Sequence, residues 1–171
     1  MTMQSLSPAS VTRPRRQRGF SLIEVMVALF VLSIGLLGLA GLQTLGLKFN
    51  VQSYQRTQAT LNAYDIMDRI RANPVGMTAS AYDNIDLSPN PSAVDCMAAG
   101  CDAAQMADYD IGQWKASLTS LLSQGQGGIC RGTLTLSPYA CAVNPGATLF
   151  TVAVTWVEHD LNMNLTVEAQ L

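Results

Sequence analysis

Histidine is almost missing from this chain of 171 residues, and charge is scarce: one histidine is present, and Asp, Glu, Lys and Arg together make up 13% of the residues. The single His159 stands between Glu158 and Asp160, and neighbours on an extended chain point to opposite faces, so these three do not converge on a site. No GxSxG, HExxH or phosphate-binding glycine loop occurs in the sequence. An enzyme is therefore not expected, and no cofactor is called for. Positive charge is also thin where nucleic acid would need it. Arg13, Arg15, Arg16 and Arg18 hold four of the ten basic residues, so residues 20–171 carry six basic against twelve acidic side chains, a net of −6. The six, Lys48, Arg56, Arg69, Arg71, Lys115 and Arg131, are scattered, and no nucleic-acid partner is expected.

Near the N-terminus charge is missing over a long stretch, with one exception. Residues 20–47 form a run of 28 with no charged side chain except Glu24, directly after the four arginines. A run of that length can cross a bilayer, and the basic flank holds the N-terminus in the cytoplasm, which sends the rest of the chain to the opposite side. A secretory signal peptide is a competing reading, with a weak small-residue site at Gly38-Leu39-Ala40, but its apolar core spans only about 7–15 residues. A plain signal anchor is another, and it has no use for Glu24.

A carboxylate within a membrane span costs roughly 2.5–3.5 kcal/mol on insertion scales, so it calls for a partner. No Lys, Arg or His lies within residues 20–47. Either the partner comes from outside the helix, or Glu24, one turn from the helix start, snorkels to the interface and favours the positive end of the helix dipole.

Proline and glycine are absent from residues 48–72, and Asn73-Pro74 then supplies a stop. A helix over residues 20–72 is predicted, roughly 80 Å long at about 1.5 Å per residue. In its second half Phe49, Ala59, Ala63, Ile66, Met67 and Ile70 make an apolar stripe suited to a sheet, with Asp65, Asp68 and Arg69 on the other side. Gly35, Gly38, Gly41 and Gly46 interrupt the apolar half. Each costs about 1 kcal/mol relative to alanine in a soluble helix, so they weaken the helix or permit close packing.

After Pro74 the turn formers Gly76, Asn84, Ser88-Pro89-Asn90-Pro91 and Gly100 indicate a long loop over residues 73–107. Asp110 and Gln113 are a candidate capping pair for a second helix carrying Trp114, Leu118, Leu121 and Leu122, which Gly125-Gln126-Gly127-Gly128 ends. Alternation predicts strands at residues 133–136, 148–157 and 161–170, with Glu158-His159-Asp160 as the turn between the last two. Three or four antiparallel strands result. The expected fold class is α+β: a roll in which a long N-terminal spine helix packs on a small antiparallel sheet. Cys96, Cys101, Cys130 and Cys141 all fall beyond the span, where an even count favours two disulfides over a metal site. Three pairings are possible, and low loop-closure entropy favours Cys96–Cys101 with Cys130–Cys141. The spacings do not suit zinc, and no metal is expected.

The string Arg18-Gly19-Phe20-Ser21-Leu22-Ile23-Glu24 resembles the signature of type IV prepilins and pseudopilins: a basic leader ending in glycine, an aromatic, then an apolar helix with glutamate at its fifth position. The resemblance implies cleavage between Gly19 and Phe20 by prepilin peptidase, N-methylation of Phe20, and a substrate rather than a catalyst. It also implies that Glu24 pairs with the new α-ammonium of a neighbouring subunit during assembly. The expected organisation is a leader at residues 1–19, a transmembrane half at 20–47, an amphipathic half at 48–72 and an extracytoplasmic head at 73–171. Within the family the chain is similar to PilV-type minor pilins in Ser33-Ile34-Gly35-Leu36-Leu37-Gly38-Leu39-Ala40-Gly41-Leu42-Gln43, in Ala63-Tyr64-Asp65, in Asp68-Arg69-Ile70-Arg71-Ala72-Asn73, in Tyr109-Asp110, in Cys130-Arg131 and in Val154-Thr155-Trp156. That likeness implies a low-abundance component that joins other minor pilins and the major pilin to prime pilus assembly near the tip, supporting surface piliation, twitching motility and adhesion in a Gram-negative bacterium. Before assembly it would sit in the inner membrane with a periplasmic head. A minor pseudopilin of type II secretion shares the N-terminal chemistry and is the alternative; a membrane-anchored binding protein or enzyme is the second.

Overall fold

The computed structural model describes residues 19–89 and 95–171. Leader residues 1–18, with the four arginines, and the Asn90-Pro91 pair lie outside the described residues. The chain divides into two compact units, residues 1–45 and 46–171. In the first, the apolar run forms the opening part of helix α1 (Leu22–Ala72), and every residue of it is exposed. α1 is the one helix among the described residues long and apolar enough to cross a membrane. Gly35, Gly38 and Gly41 do not interrupt it, and a Cβ added at any of them would meet nothing within 4 Å.

In the second unit the rest of α1 buries Ala59, Asn62, Ala63, Ile66, Met67 and Ile70, whose three- and four-residue spacing keeps them on one side. Phe49, expected in this stripe, is 61% exposed. It lies ten residues before Ala59, about 15 Å up the helix axis and beyond the buried part of the stripe. The helix stops at Ala72 because Pro74 cannot continue it, and Asn73 becomes the N-cap of α2 (Pro74–Thr78), its Oδ1 accepting from Gly76 N at 3.1 Å.

The region expected to be loop up to residue 107 is more ordered than that. It holds α2, the two-residue strand β1 (Asn84–Ile85), α3 (Cys96–Ala99) and the first turn of α4 (Ala103–Leu121). The cap of α4 is Asp102 with Gln105, a reciprocal capping box, and not Asp110 with Gln113. Asp110 sits mid-helix and is buried, accepting from Tyr82 Oη at 3.1 Å and from Arg69 Nη1 at 3.3 Å. Arg69 is thus drawn partly inward rather than standing on the open side. Burial lowers the pKa of its guanidinium, but Asp65 and Asp110 outweigh this and hold it above its ordinary value.

Four strands form an antiparallel sheet in the order β1-β2-β4-β5, with β2 at Gln126–Leu136, β4 at Leu149–Glu158 and β5 at Leu161–Gln170. A fifth, β3 (Tyr139–Val143), pairs with the outer end of β2. The glycine-rich stretch after α4 therefore begins β2 instead of forming a loop, and there is a physical reason. A Cβ at Gly127 would collide with Trp114 and Leu118 of α4, and one at Gly128 would lie 2.8 Å from the Tyr139 ring. Glycine lets a helix and a phenol press directly on the strand from opposite sides.

Ile129, Phe150, Val152, Val154 and Trp156 turn one sheet face toward the α1 stripe, Tyr82 and the α4 residues Ile111, Trp114 and Leu118, forming one core. Trp114 Nε1 donates to the carbonyl of Asn62 at 2.9 Å, fixing α4 against α1. At one end of the core Arg131 and Asp83 make a buried ion pair, and the guanidinium lies 4.8 Å from the Phe150 ring centroid. The β4–β5 connection is a two-residue turn with positive φ at His159 and Asp160, 48° and 63°, the type I′ geometry that matches strand twist. The fold is α+β, with the second half of α1 packed on a small antiparallel sheet.

Candidate functional site

The N-terminal junction is built by a change of backbone at Ser21. Gly19, Phe20 and Ser21 are not helical; from Leu22 the chain is, and the Ser21 carbonyl accepts from Glu24 N at 3.0 Å and Val25 N at 3.3 Å. Glu24 thus lies in the first turn of α1, where the free N–H groups and the positive end of the dipole suit a carboxylate. Phe20 is 83% exposed, and nothing lies within 4 Å of a Cβ built on Gly19. Phe20 and Glu24 border the same shallow groove with Val25, Ala28, Leu29 and Leu32. Among the described residues Glu24 makes no ion pair. The junction is an exposed Gly19-Phe20 segment followed at once by a helix whose first turn holds one acid without an ion pair among the described residues.

The four cysteines lie elsewhere, in the second unit, as two disulfides. Cys96–Cys101 closes a loop around α3 just ahead of the Asp102 cap, and Cys130–Cys141 ties β2 to β3. No group of His, Cys, Asp and Glu suited to a metal ion occurs among the described residues. His159 Nδ1 is 3.9 Å from Glu158 Oε1 at the turn, which brings two of the three turn residues near each other without a third group to work on.

A buried lysine holds the loop after β1. Lys115 is 5% exposed, and its Nζ donates to the carbonyls of Asp86, at 2.7 Å, and Ser88. Desolvation lowers its pKa, against the pull of Asp86. Tyr139 Oη donates to the carbonyl of Ile85 at 2.6 Å, and burial, with the nearby Asp86, pushes the phenol up to about 12. These contacts are structural. The sequence marked neither residue, because each acts on main-chain carbonyls that only the fold brings within reach. It also gave no sign of a cleft of about 380 Å³ under the β2–β3 hairpin.

Residues 14–40 match the family model of the prokaryotic N-terminal methylation motif, and residues 41–112 match that of type IV pilin Tt1218. No curated protein and no solved structure matches the chain. The two family matches adjoin one another, the first covering the Gly19-Phe20 junction and Glu24, the second the remainder of α1 and most of α4. This chain belongs to the type IV prepilin-like proteins.

Proposed function

We propose that the protein is a minor pilin of the PilV type, which helps prime assembly of a type IV pilus and so supports surface piliation, twitching motility and adhesion. The observation that carries the reading is the methylation motif laid over a junction whose one intramembrane acid makes no ion pair among the described residues. In this reading prepilin peptidase removes residues 1–19 by cutting between Gly19 and Phe20, and a methyltransferase modifies the new α-amine of Phe20. Residues 20–47 span the inner membrane, 48–72 continue the spine and 73–171 form a periplasmic head. The α-ammonium of one subunit meets Glu24 of the next, so that each neutralises a charge that is costly in lipid. The protein is a substrate of the processing enzymes, and its partners are other minor pilins and the major pilin, near the filament tip.

The cysteines and the later head motifs, Tyr109-Asp110, Cys130-Arg131 and Val154-Thr155-Trp156, favour the pilus over a type II secretion pseudopilus. The intact mass and N-terminal peptide of the protein from native membranes, compared with a strain lacking prepilin peptidase, test it. A mature chain beginning at Phe20 and dependent on that enzyme is expected. A start at Met1, or after Ala40, would overturn the processing reading. A deletion strain that keeps normal pili but loses exoprotein secretion would transfer the protein to the secretion system.

A further inference from the structure

The β2–β3 hairpin folds back over the sheet. Cys141 pairs with Leu134 in the ladder, yet its sulfur is bonded to Cys130, and Tyr139, paired with Leu136, reaches across Gly128 to the carbonyl of Ile85. The hairpin therefore roofs the face of the sheet opposite the core. Under its tip, at Leu136 and Ser137, lies the cleft of about 380 Å³. Its floor is a cross-strand row, Gln126 on β2 opposite Thr155 on β4 opposite Asn164 on β5, with Val157 opposite Asn162 beside it. Gln124 completes the rim.

The lining has a narrow chemistry. Four carboxamides and two hydroxyls face the space, and no lining residue carries a charge. None of these six side chains makes a hydrogen bond among the described residues, so their donors and acceptors are all available. A charged ligand would lose hydration and find no counter-charge, and an apolar one would leave the amides unpaired. An extended peptide is held through main-chain groups at a sheet edge, whereas this floor is a sheet face that presents side chains. What remains is an uncharged molecule rich in hydroxyls, with C–H faces for Leu136 and Val157. The volume lies at the lower end of ligand sites, about 300–1,000 Å³.

We propose that this cleft binds a neutral saccharide of one or two rings. The inference goes beyond the pilin reading and stands on the head alone, so loss of one leaves the other in place. The test uses the full chain, nitrogen-labelled, in micelles of a detergent without a sugar headgroup. It is titrated with a panel of neutral disaccharides built from glucose, galactose, mannose and N-acetylglucosamine, and separately with an end-blocked triglycine. At least one disaccharide should move the side-chain amide signals of Gln126, Asn162 and Asn164 saturably, with an affinity that salt does not change. The double variant Gln126→Ala, Asn164→Ala changes two exposed positions and should keep the remaining spectrum. It should bind that disaccharide about tenfold or more weakly, as expected from losing two hydrogen bonds. Asn162→Ala provides an independent check of the same loss. Absence of any response across the panel, an undiminished response in both variants, or saturation by triglycine alone would overturn the assignment.

Discussion

Arg131 and Asp83 meet with Nε and Oδ1 2.6 Å apart and both side chains about nine-tenths buried, a contact of charges rather than an aligned hydrogen bond. Arg131 also donates from Nη2 to the Met77 carbonyl and covers Phe150. One guanidinium thus joins α2, the loop before β1, and the sheet. Asp83→Ala leaves that charge buried without its partner, and a loss of about 3–5 kcal/mol is expected. The double variant Asp83→Leu, Arg131→Met should cost less than either single change. Denaturant unfolding followed by tryptophan emission reads this directly, because Trp114 and Trp156 both lie in the core. A single variant as stable as the parent would show that the pair is dispensable.

Alkaline pH should loosen the head through its phenols. Burial, aided by Asp110, pushes Tyr82 up to about 12 from 10. A raised folded pKa means that the contribution is complete below pH 10 and is lost as pH rises through about 12. Two pH units correspond to on the order of 2–3 kcal/mol for the fully buried Tyr82. Tyr139 acts in the same window and direction. Lys115 has a lowered pKa, so its titration has the opposite sign and is finished near 10.5. The Tyr82→Phe variant should therefore show about half the loss of stability above that point, measured by unfolding and tyrosinate absorbance. An unchanged pH slope would remove Tyr82 from the account.

Two glycine replacements should separate the units. Gly127→Ala drives a methyl into Trp114 and Leu118, and overpacking of this kind costs about 1–3 kcal/mol or more. Gly38→Ala meets no atom within 4 Å and should leave the head's unfolding midpoint where it is. Equal midpoints for the two variants would mean that α4 can move away from β2 at no cost.

At the junction, Glu24→Ala should leave cleavage largely intact and reduce the protein in sheared pili. Wild-type amounts of the variant in pili would sink the pairing of Glu24 with a neighbour's N-terminus. Gly19 replaced by a bulky residue should leave a precursor that migrates with its leader attached, as seen by immunoblot.

The sequence made the helix, the last two strands and their turn readable because each depends on local periodicity or local turn chemistry. The stripe from Ala59 to Ile70 and the alternation in β5 are of this kind. The start of α4 is ambiguous in the sequence because Asp-x-x-Gln occurs twice, at Asp102 and at Asp110, and nothing local distinguishes them. Arg69 and Tyr82 decide the matter by drawing Asp110 into the core, and both are distant in sequence. The start of β2 is hidden for a similar reason: its glycines read as a turn unless Trp114 and Tyr139, which press on them, are known. With β2 truncated and β3 missed, the hairpin and the space beneath it had no local signal at all. The Gly19-Phe20 junction and Glu24 stand out by their fixed spacing, and the N-terminal methylation motif spans them. The cleft residues were not, since lone asparagines and glutamines on strands look like ordinary solvated faces.

The sheet ends on β5, ten residues long, whose far edge meets no other strand among the described residues. Glu168 is its one charge, and it has no proline or bulge to deter pairing. Such an edge is a template for another chain's backbone. A head prepared without residues 20–47, at the concentrations of a purified sample, is therefore expected to self-associate through β5 by adding strand to strand. A lysine at an outward position such as Thr166 is the simplest change to keep it monodisperse.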